Sequence, residues 1–285
     1  MFVKELNGLA ITTLIDNVTL EVELRDKISL SEQQFRDGGF LSMQMADYDY
    51  NKYNSWSSLY DTLMLAGYYD YDSFVENLVS CIKTYSLKSC LEIGVGTGLV
   101  ASKLTKRVDV DFLGVDFSED MIAECQTNFP DIKTAIGDIA SYDFAQTYDL
   151  IFSVGGPWYF MEDDDGLMFC SHLPEIELQN RSIKNICQAM HKGSVLALAV
   201  QGPHIDKSIN ISDSLTFTQV IRKKTTDGSI FEKDYIFIES GAEISRQTCL
   251  FRLTKKAEIE TYFSDCGLEL LSFGDTEKFI FYRKS

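Results

Sequence analysis

The segment Leu91-Glu92-Ile93-Gly94-Val95-Gly96-Thr97-Gly98 limits the fold more than any other stretch of the chain. An apolar run, Ser89 to Ile93, ends in glycines at alternate positions and leads into a helix-forming stretch through Lys106. A buried strand that turns sharply into a helix, with no Cβ atoms to keep a ligand from its backbone, opens a βαβ unit with a binding site at the turn. Residues 72–200 continue that alternation of helical stretches and short apolar runs, which predicts a parallel sheet. Further strands are expected at Asp111–Asp116, Ile132–Ile136, Asp149–Val154 and Ser194–Val200. Ser73-Phe74-Val75-Glu76 reads as a capping box opening a helix whose Phe74, Leu78, Val79 and Ile82 share a face. Ser118 can cap a helix that Pro130 ends, and Glu175–His191 reads as a helix terminated by Gly193.

Residues 215–253 change period. Leu215–Ile221, Phe231–Glu239 and Ile244–Leu253 alternate in strand fashion between Thr-Asp-Gly and Ser-Gly-Ala turns. A helix over Lys255–Cys266 follows, then a closing hairpin of Leu268–Phe273 with Lys278–Arg283. Near the start, Leu9–Ile15 and Thr19–Leu24 are expected to form a hairpin around Asp16-Asn17. The fold class is therefore α/β: a doubly wound, mostly parallel seven-stranded sheet with a C-terminal antiparallel hairpin and an inserted antiparallel β cover. Residues 1–71 would hold the N-terminal hairpin and a tyrosine-rich lid segment, and residues 72–285 the ligand-binding domain.

Composition narrows the partners. With 26 Lys and Arg against 43 Asp and Glu, the formal net charge is −17, which repels phosphate backbones and anionic lipid. Nucleic acid and membranes are excluded as expected partners, since Arg222-Lys223-Lys224 reads as a solvated strand end. Seven cysteines, odd in number and without a CxxC pair, read as reduced thiols of a cytoplasmic protein. No His, Cys or Asp set has metal-ligand spacing, so no metal is expected. The run Glu162-Asp163-Asp164-Asp165 reads as a solvated loop and helix start.

Two ligand types suit the glycine turn. In a dinucleotide fingerprint the third glycine would fall at Leu99, and Glu92 would face a diphosphate. A carboxylate is unfavourable there and favourable beside an ammonium group, so the ligand should carry a cation where a dinucleotide carries phosphate. Asp116, in Gly114-Val115-Asp116-Phe117-Ser118, lies at the spacing of about twenty residues from which a carboxylate accepts both ribose hydroxyls.

The acidic-x-Gly-x-Gly-x-Gly pattern of Glu92, Gly94, Gly96 and Gly98, with Asp116 after it, resembles the class I SAM-dependent methyltransferases of small-molecule type over residues 58–200 and the C-terminal hairpin. The resemblance implies S-adenosyl-L-methionine (SAM) as cofactor. It places Asp116 on the ribose, Phe117 on the adenine face, and Asp138 and Ile139 at the adenine edge, with Met121 and Ser153 completing the cofactor set. Gly155-Gly156-Pro157-Trp158-Tyr159 partly resembles the Asn-Pro-Pro-Trp/Tyr loop of amino-methylating relatives. Gly155 and Gly156 remove its Asn and first Pro, which argues against a nucleobase or glutamine acceptor. Trp158 and Tyr159 would wall the acceptor or pack in the core. Tyr60, in Tyr60-Asp61-x-Leu63-Met64, would close over the ligands, with Tyr68, Tyr69 and Tyr71 as weaker candidates.

Methyl transfer from a sulfonium is an in-line displacement, and a base is needed only where the acceptor must lose a proton. His204, just beyond the fifth strand, and His172 are the candidates, whereas His191 reads as a surface residue. The inserted sheet would cover the acceptor, a small metabolite or natural-product intermediate, with Phe217, Phe231, Tyr235 and Phe237 lining the cavity or packing the sheet. Exposed sheet edges would permit a homodimer. Two other readings remain open: a SAM-binding cyclase or regulatory protein of the same fold, and a nicotinamide oxidoreductase that tolerates Glu92 beside phosphate.

Overall fold

The computed structural model describes residues 3–6, 9–12, 57–163, 166–273 and 278–285. The chain divides into two compact units, Met1–Asp49 and Tyr50–Ser285. In the first, β1 (Val3–Leu6) pairs antiparallel with β2 (Leu9–Thr12), Leu6 opposite Leu9. The expected pairing of Leu9–Ile15 with Thr19–Leu24 thus gives way to an earlier partner for Leu9–Thr12, and residues 13–24 lie outside the described residues. The overlooked signal is Asn7-Gly8, a dipeptide favoured in tight hairpins.

The second unit begins with α1 (Ser57–Leu63), which passes through a π-helical turn (Met64–Tyr68) to α2 (Tyr71–Tyr85). The cap of α2 is the Asp70 carboxylate, which accepts from the Ser73 amide at 3.1 Å, so Ser73 lies inside the first turn and does not cap it. There follow β3 (Ser89–Ile93), α3 (Leu99–Thr105), β4 (Asp111–Asp116), α4 (Glu119–Asn128), β5 (Thr134–Ile136) and β6 (Tyr148–Ser153). Ser118 caps α4 through Met121 N–H, as its sequence position predicts. Next come β7 (Trp158–Asp163), β8 (Gly166–Ser171), α5 (Ile176–Gln188), β9 (Met190–Gln201) and β10 (Lys207–Asn210). The chain closes with β11 (Leu215–Lys223), β12 (Ile230–Glu239), β13 (Ala242–Lys255), α6 (Lys256–Asp265), β14 (Leu268–Leu271) and β15 (Phe279–Lys284).

One 13-stranded sheet contains all of β3 to β15. Its mostly parallel half is β5-β4-β3-β6-β9-β15-β14: the first five strands are parallel and the last two form the antiparallel closing hairpin. At β9 the sheet forks. Val195–Ala199 pair antiparallel with β15, whereas Val200 and Gln201 pair parallel with β7. Through that short pairing the sheet continues as β7-β8-β13-β12-β11-β10, all antiparallel. The expected cover of three strands is therefore a six-stranded extension of the main sheet. Its two extra inner strands come from the segment expected to be a loop and helix start. Glu162 and Asp163 end β7 and are exposed, β8 follows from Gly166, and Asp164 and Asp165 lie outside the described residues. Helix α5 also stops before His191, because Met190 and His191 already belong to β9. Gly193 sits inside that strand at φ +90° and does not terminate the helix.

Neighbouring residues of the parallel strands feed opposite layers. Leu91, Ile93, Ile151, Leu196 and Leu198 pack with Ile183 and Ile186 of α5 and Ile259 and Phe263 of α6. Cys90, Phe112, Leu150, Phe152 and Ala197 pack with Phe74, Leu78 and Ile82 of α2 and Leu104 of α3. Burying each large apolar side chain contributes about 1.5–3 kcal/mol, and both layers share in that stabilisation. All seven cysteines are free thiols, six of them buried. No helix among the described residues is long and apolar enough to cross a membrane.

Candidate active site

Four neighbouring strands each deliver a polar residue to the carboxyl end of the sheet, where open α/β sheets bind ligands. Glu92 comes from β3, Asp116 from β4, Ser153 from β6 and Gln201 from β9. Glu92 is 2% exposed and Ser153 wholly buried. Among the described residues, Glu92 Oε2, Ser153 Oγ and Gln201 Nε2 are buried without a hydrogen-bond partner. Buried polar atoms are normally satisfied, so three orphans along one strand edge point to a ligand that completes them. Burial, and secondarily the Asp116 carboxylate, push the Glu92 carboxyl well above its usual range. A cation beside Glu92 would reverse that shift, and a phosphate would increase it.

The glycine turn has three different duties. Gly94 lies against the loop after β6: a Cβ there would meet Pro157 Cδ at 2.4 Å and Gly156 Cα at 2.6 Å. The same contact accounts for Gly156, whose Cβ would meet the Ile93 carbonyl oxygen at 2.6 Å. The two glycines let the turn and the loop touch backbone to backbone, which leaves no room at position 156 for the first Pro of the motif. Gly96 by contrast faces open space, at φ +54°, and its amide donates to Asp116 Oδ2 at 2.9 Å. Gly98 packs on Cys125 of α4. Asp116 also accepts from Ser118 N–H through Oδ1 at 2.9 Å, leaving each carboxylate oxygen a further lone pair for a diol. Burial raises its pKa while the amides of Ser118, Gly96 and Phe117 oppose that rise.

Phe117, next in sequence to Asp116, is 39% exposed, and Met121 in the first turn of α4 is buried. Asp138 is engaged in its own turn, accepting from Ala140 N–H at 2.9 Å and from the Ser141 hydroxyl at 3.2 Å, with Ile139 buried behind it. A turn residue and a ring-amine acceptor are compatible here, because an ionised carboxylate has about four acceptor positions.

Segment 57–71 straps the other side. The Thr97 hydroxyl donates to Asp61, pinning α1 to the glycine turn. Tyr60 shares a hydrogen bond with Tyr71 and feels the charges of Asp61, Asp116 and Glu92; burial pushes its phenol up to about 12, so it stays protonated. Tyr69 OH donates to Gln201 Oε1 at 2.9 Å, and Tyr68 OH donates to Gln219 Oε1 of β11 at 2.9 Å. The two rings meet edge to face at 4.8 Å. Tyr68 and Tyr69, weak candidates from sequence, therefore join the strap to the strand end and to the inserted sheet.

The loop residues part company. Trp158 is fully buried with Phe160 and Phe169 in the layer beneath the sheet, so it is core and does not wall the acceptor. Tyr159 points the opposite way and its hydroxyl meets His204 Nε2 at 3.1 Å. Tyr159, His172, His204, Phe231 and Phe251 form one aromatic cluster, with His172 edge-on to Phe251 at 4.4 Å and Phe231 stacked on Phe251 at 4.9 Å. Burial, and secondarily Lys233, push His204 well below its ordinary value and hold His172 down to about 3. Both imidazoles are neutral hydrogen-bonding groups, and a base tuned near neutral pH is not what the fold holds at either position. His191 is elsewhere, paired with Asp149 at 2.8 Å. Of the four rings expected on the cover, Phe217, Phe231, Tyr235 and Phe237 all pack inward, on the strand face that also carries Lys233.

Lys233 itself was missed. At period two it shares the apolar face of Phe231, Tyr235 and Phe237, and a lysine in that series was the available signal. Among the described residues no group of three or more His, Cys, Asp or Glu could hold a metal ion.

Comparison with known proteins gives a consistent picture. Residues 90–174 match the family model described as a methyltransferase domain. No curated protein sequence matches the chain. Among solved structures, the CcbJ methyltransferase from Streptomyces caelestis is similar at 16% identity and TM-score 0.63, covering 83% of this chain and 98% of that one. DesVI from Streptomyces venezuelae is 18% identical with TM-score 0.61, covering 80% and 98%. SAM-bound CalS10, an amino pentose methyltransferase from Micromonospora echinaspora involved in calicheamicin biosynthesis, is 14% identical with TM-score 0.60, covering 80% and 97%. At such identities the likeness is one of fold.

Proposed function

We propose that the enzyme uses SAM to methylate a small metabolite or natural-product intermediate, in keeping with the match of residues 90–174 to the methyltransferase-domain family model. The observation that carries this reading is the set of orphaned polar atoms, Glu92 Oε2, Ser153 Oγ and Gln201 Nε2, along one edge of the sheet. The residues fit the cofactor: Glu92 would receive its ammonium, Asp116 its ribose hydroxyls, Phe117 one face of its adenine, and Asp138 with Ile139 the adenine edge. Met121 and Ser153 would complete the enclosure. When bound, SAM supplies a methyl group on an already activated sulfonium.

The chain then has little chemistry of its own to perform. Tyr60, Tyr68 and Tyr69 exclude water and orient the acceptor, the contribution an in-line displacement gains most from. Tyr159, His204 and His172 line the acceptor side as neutral hydrogen-bonding and apolar surface. An acceptor that arrives with a free lone pair needs no base from this wall. Similarity to an amino pentose methyltransferase and to a sugar N-methyltransferase, KedS8 from Streptoalloteichus sp, supports an acceptor of comparable size.

Calorimetry with SAM and with S-adenosylhomocysteine tests the premise, and Gly96→Arg tests the placement. Gly96 has open space where a Cβ would project, so arginine fills the crevice while also occupying a left-handed backbone position at a cost of about 1–2 kcal/mol. Binding should be abolished with the fold retained by circular dichroism. Unchanged affinity in that variant would place the cofactor elsewhere. Labelled SAM incubated with candidate acceptors should release S-adenosylhomocysteine in proportion to labelled product.

A further inference from the structure

Within the inserted sheet, adjacent residues of β12 treat charge in opposite ways. Asp234 faces outward and is matched: Arg222 and Arg246 both reach it, at 2.5 and 2.6 Å, and the Thr248 hydroxyl donates to it at 2.8 Å. Lys233 faces inward and is 1% exposed. Its Nζ donates one hydrogen bond, to Tyr68 OH at 3.1 Å, and among the described residues no carboxylate lies within ion-pairing distance. The Tyr68 hydroxyl in turn donates to Gln219 Oε1 and keeps its proton, so that partner carries no charge. The Tyr235 ring lies 4.6 Å from Nζ.

A second cation approaches the same place. Lys207 of β10 sits 3.9 Å over the Tyr68 ring, likewise without an acidic partner among the described residues. The other titratable groups near Lys233 are the Cys170 and Cys249 thiols, Tyr68 and Tyr235, and the His172 and His204 imidazoles; burial pushes the Cys170 thiol and the Tyr68 phenol up and both imidazoles down, so these four are uncharged. In a chain of net charge −17, two lysines with no acid between them, set in aromatic walls, form a local field of the opposite sign. Burial first, and Lys207 second, pull the Lys233 ammonium down to about 7, so the ammonium is held at a disadvantage that an anion would remove.

We propose that Lys233 binds an anionic oxygen group of the methyl acceptor, a carboxylate or a phosphate monoester, with Lys207 guiding its approach past Tyr68. The inference rests on the reading of this side of the strand edge as the acceptor site. The link to the cofactor edge is covalent and short: Tyr69, bonded to Gln201, is the next residue to Tyr68, which bonds Lys233. The acceptor would thus be held by its charged end in the inserted sheet, leaving its nucleophile free to lie toward Ser153 and Gly155. The net charge of −17 would by itself disfavour an anionic acceptor, and the local arrangement of charge around Lys233 offsets it.

The test uses the full chain saturated with S-adenosylhomocysteine and three probes of one shape: benzoate, phenyl phosphate and uncharged benzamide. Benzoate or phenyl phosphate should bind at least tenfold more tightly than benzamide, and whichever binds identifies the anion. Lys233→Met should remove that preference while leaving S-adenosylhomocysteine affinity unchanged. Should this variant fail to fold, wild type alone decides: anion affinity should fall as pH rises from 7 to 9, approaching tenfold per unit, as the ammonium is lost. Equal binding of benzoate, phenyl phosphate and benzamide, absence of anion binding, or a flat pH dependence overturns the proposal. Failure of S-adenosylhomocysteine itself to bind overturns the methyltransferase placement instead, so the two failures are distinct.

Discussion

At Glu92 the fold buries a carboxyl whose Oε2 no described donor reaches, beside a second acid, Asp116. An unsatisfied buried polar atom costs about 1–3 kcal/mol, more when it is charged. The folded pKa lies above the unfolded value, so the stabilising contribution is complete at pH below the unfolded value and is lost as pH rises toward the folded one. Glu92→Gln removes the ionisation and should raise the ligand-free unfolding midpoint in urea at pH 8, by about 1–3 kcal/mol of stability. The same change takes a charge from the ammonium site and should weaken SAM binding by about 1.5–3 kcal/mol, roughly ten- to a hundredfold. Opposite signs in the two measurements separate a residue kept for its ligand from one kept for the fold; a variant less stable and unaltered in affinity would refute the role. Lys233 was harder to read from sequence than Glu92. A glutamate before a glycine turn has a strong positional meaning, whereas a lysine within an alternating strand looks solvent-facing until the partner strands are known.

The elements most legible in the sequence were those whose signals are local. Strands β3, β4 and β6 are apolar runs bounded by turns, and α4 carries its cap at Ser118, so the parallel half and its glycine turn could be placed from residues alone. Strands β7 and β8 could not. They pair with each other as a local hairpin, but their outer partners, β9 and β13, lie further along the chain, and Gly155-Gly156-Pro157 with a later acidic run has the composition of a loop. The reason for Gly156 is its contact with Gly94, which no single segment encodes. Gly156→Ala should accordingly cost about 1–3 kcal/mol through forced backbone displacement, seen as a lower urea midpoint with an unchanged slope. In the inserted sheet, Asp234 joins β11, β12 and β13 through Arg222, Arg246 and Thr248. Those partners hold its carboxyl below the usual range against the opposing effect of burial, so its contribution is present above the unfolded pKa and disappears as pH falls through the folded one. Asp234→Asn should therefore narrow the difference in stability between pH 6 and pH 3, and an unchanged pH profile would show that the two arginines contribute nothing through it.

Over the whole molecule, the net charge of −17 acts on any ion that approaches. SAM has an ammonium, a carboxylate and a sulfonium, giving one net positive charge, and S-adenosylhomocysteine has lost the sulfonium charge and is net neutral. Close contacts such as Glu92 are little affected by salt, because they are buried, whereas the long-range field of the surface is screened within about 30 Å at 0.01 M and about 8 Å at 0.15 M ionic strength. Substrate cofactor and product therefore respond to salt differently at the same site. Raising sodium chloride from 10 to 500 mM should weaken SAM binding by roughly two- to tenfold, mainly through the association rate, and leave S-adenosylhomocysteine within about twofold. The affinity ratio of the two, measured by calorimetry across that range, reports the field directly. A ratio that does not move would mean that the acidic surface is turned away from the crevice and that the charge of the chain, however large, serves solubility alone.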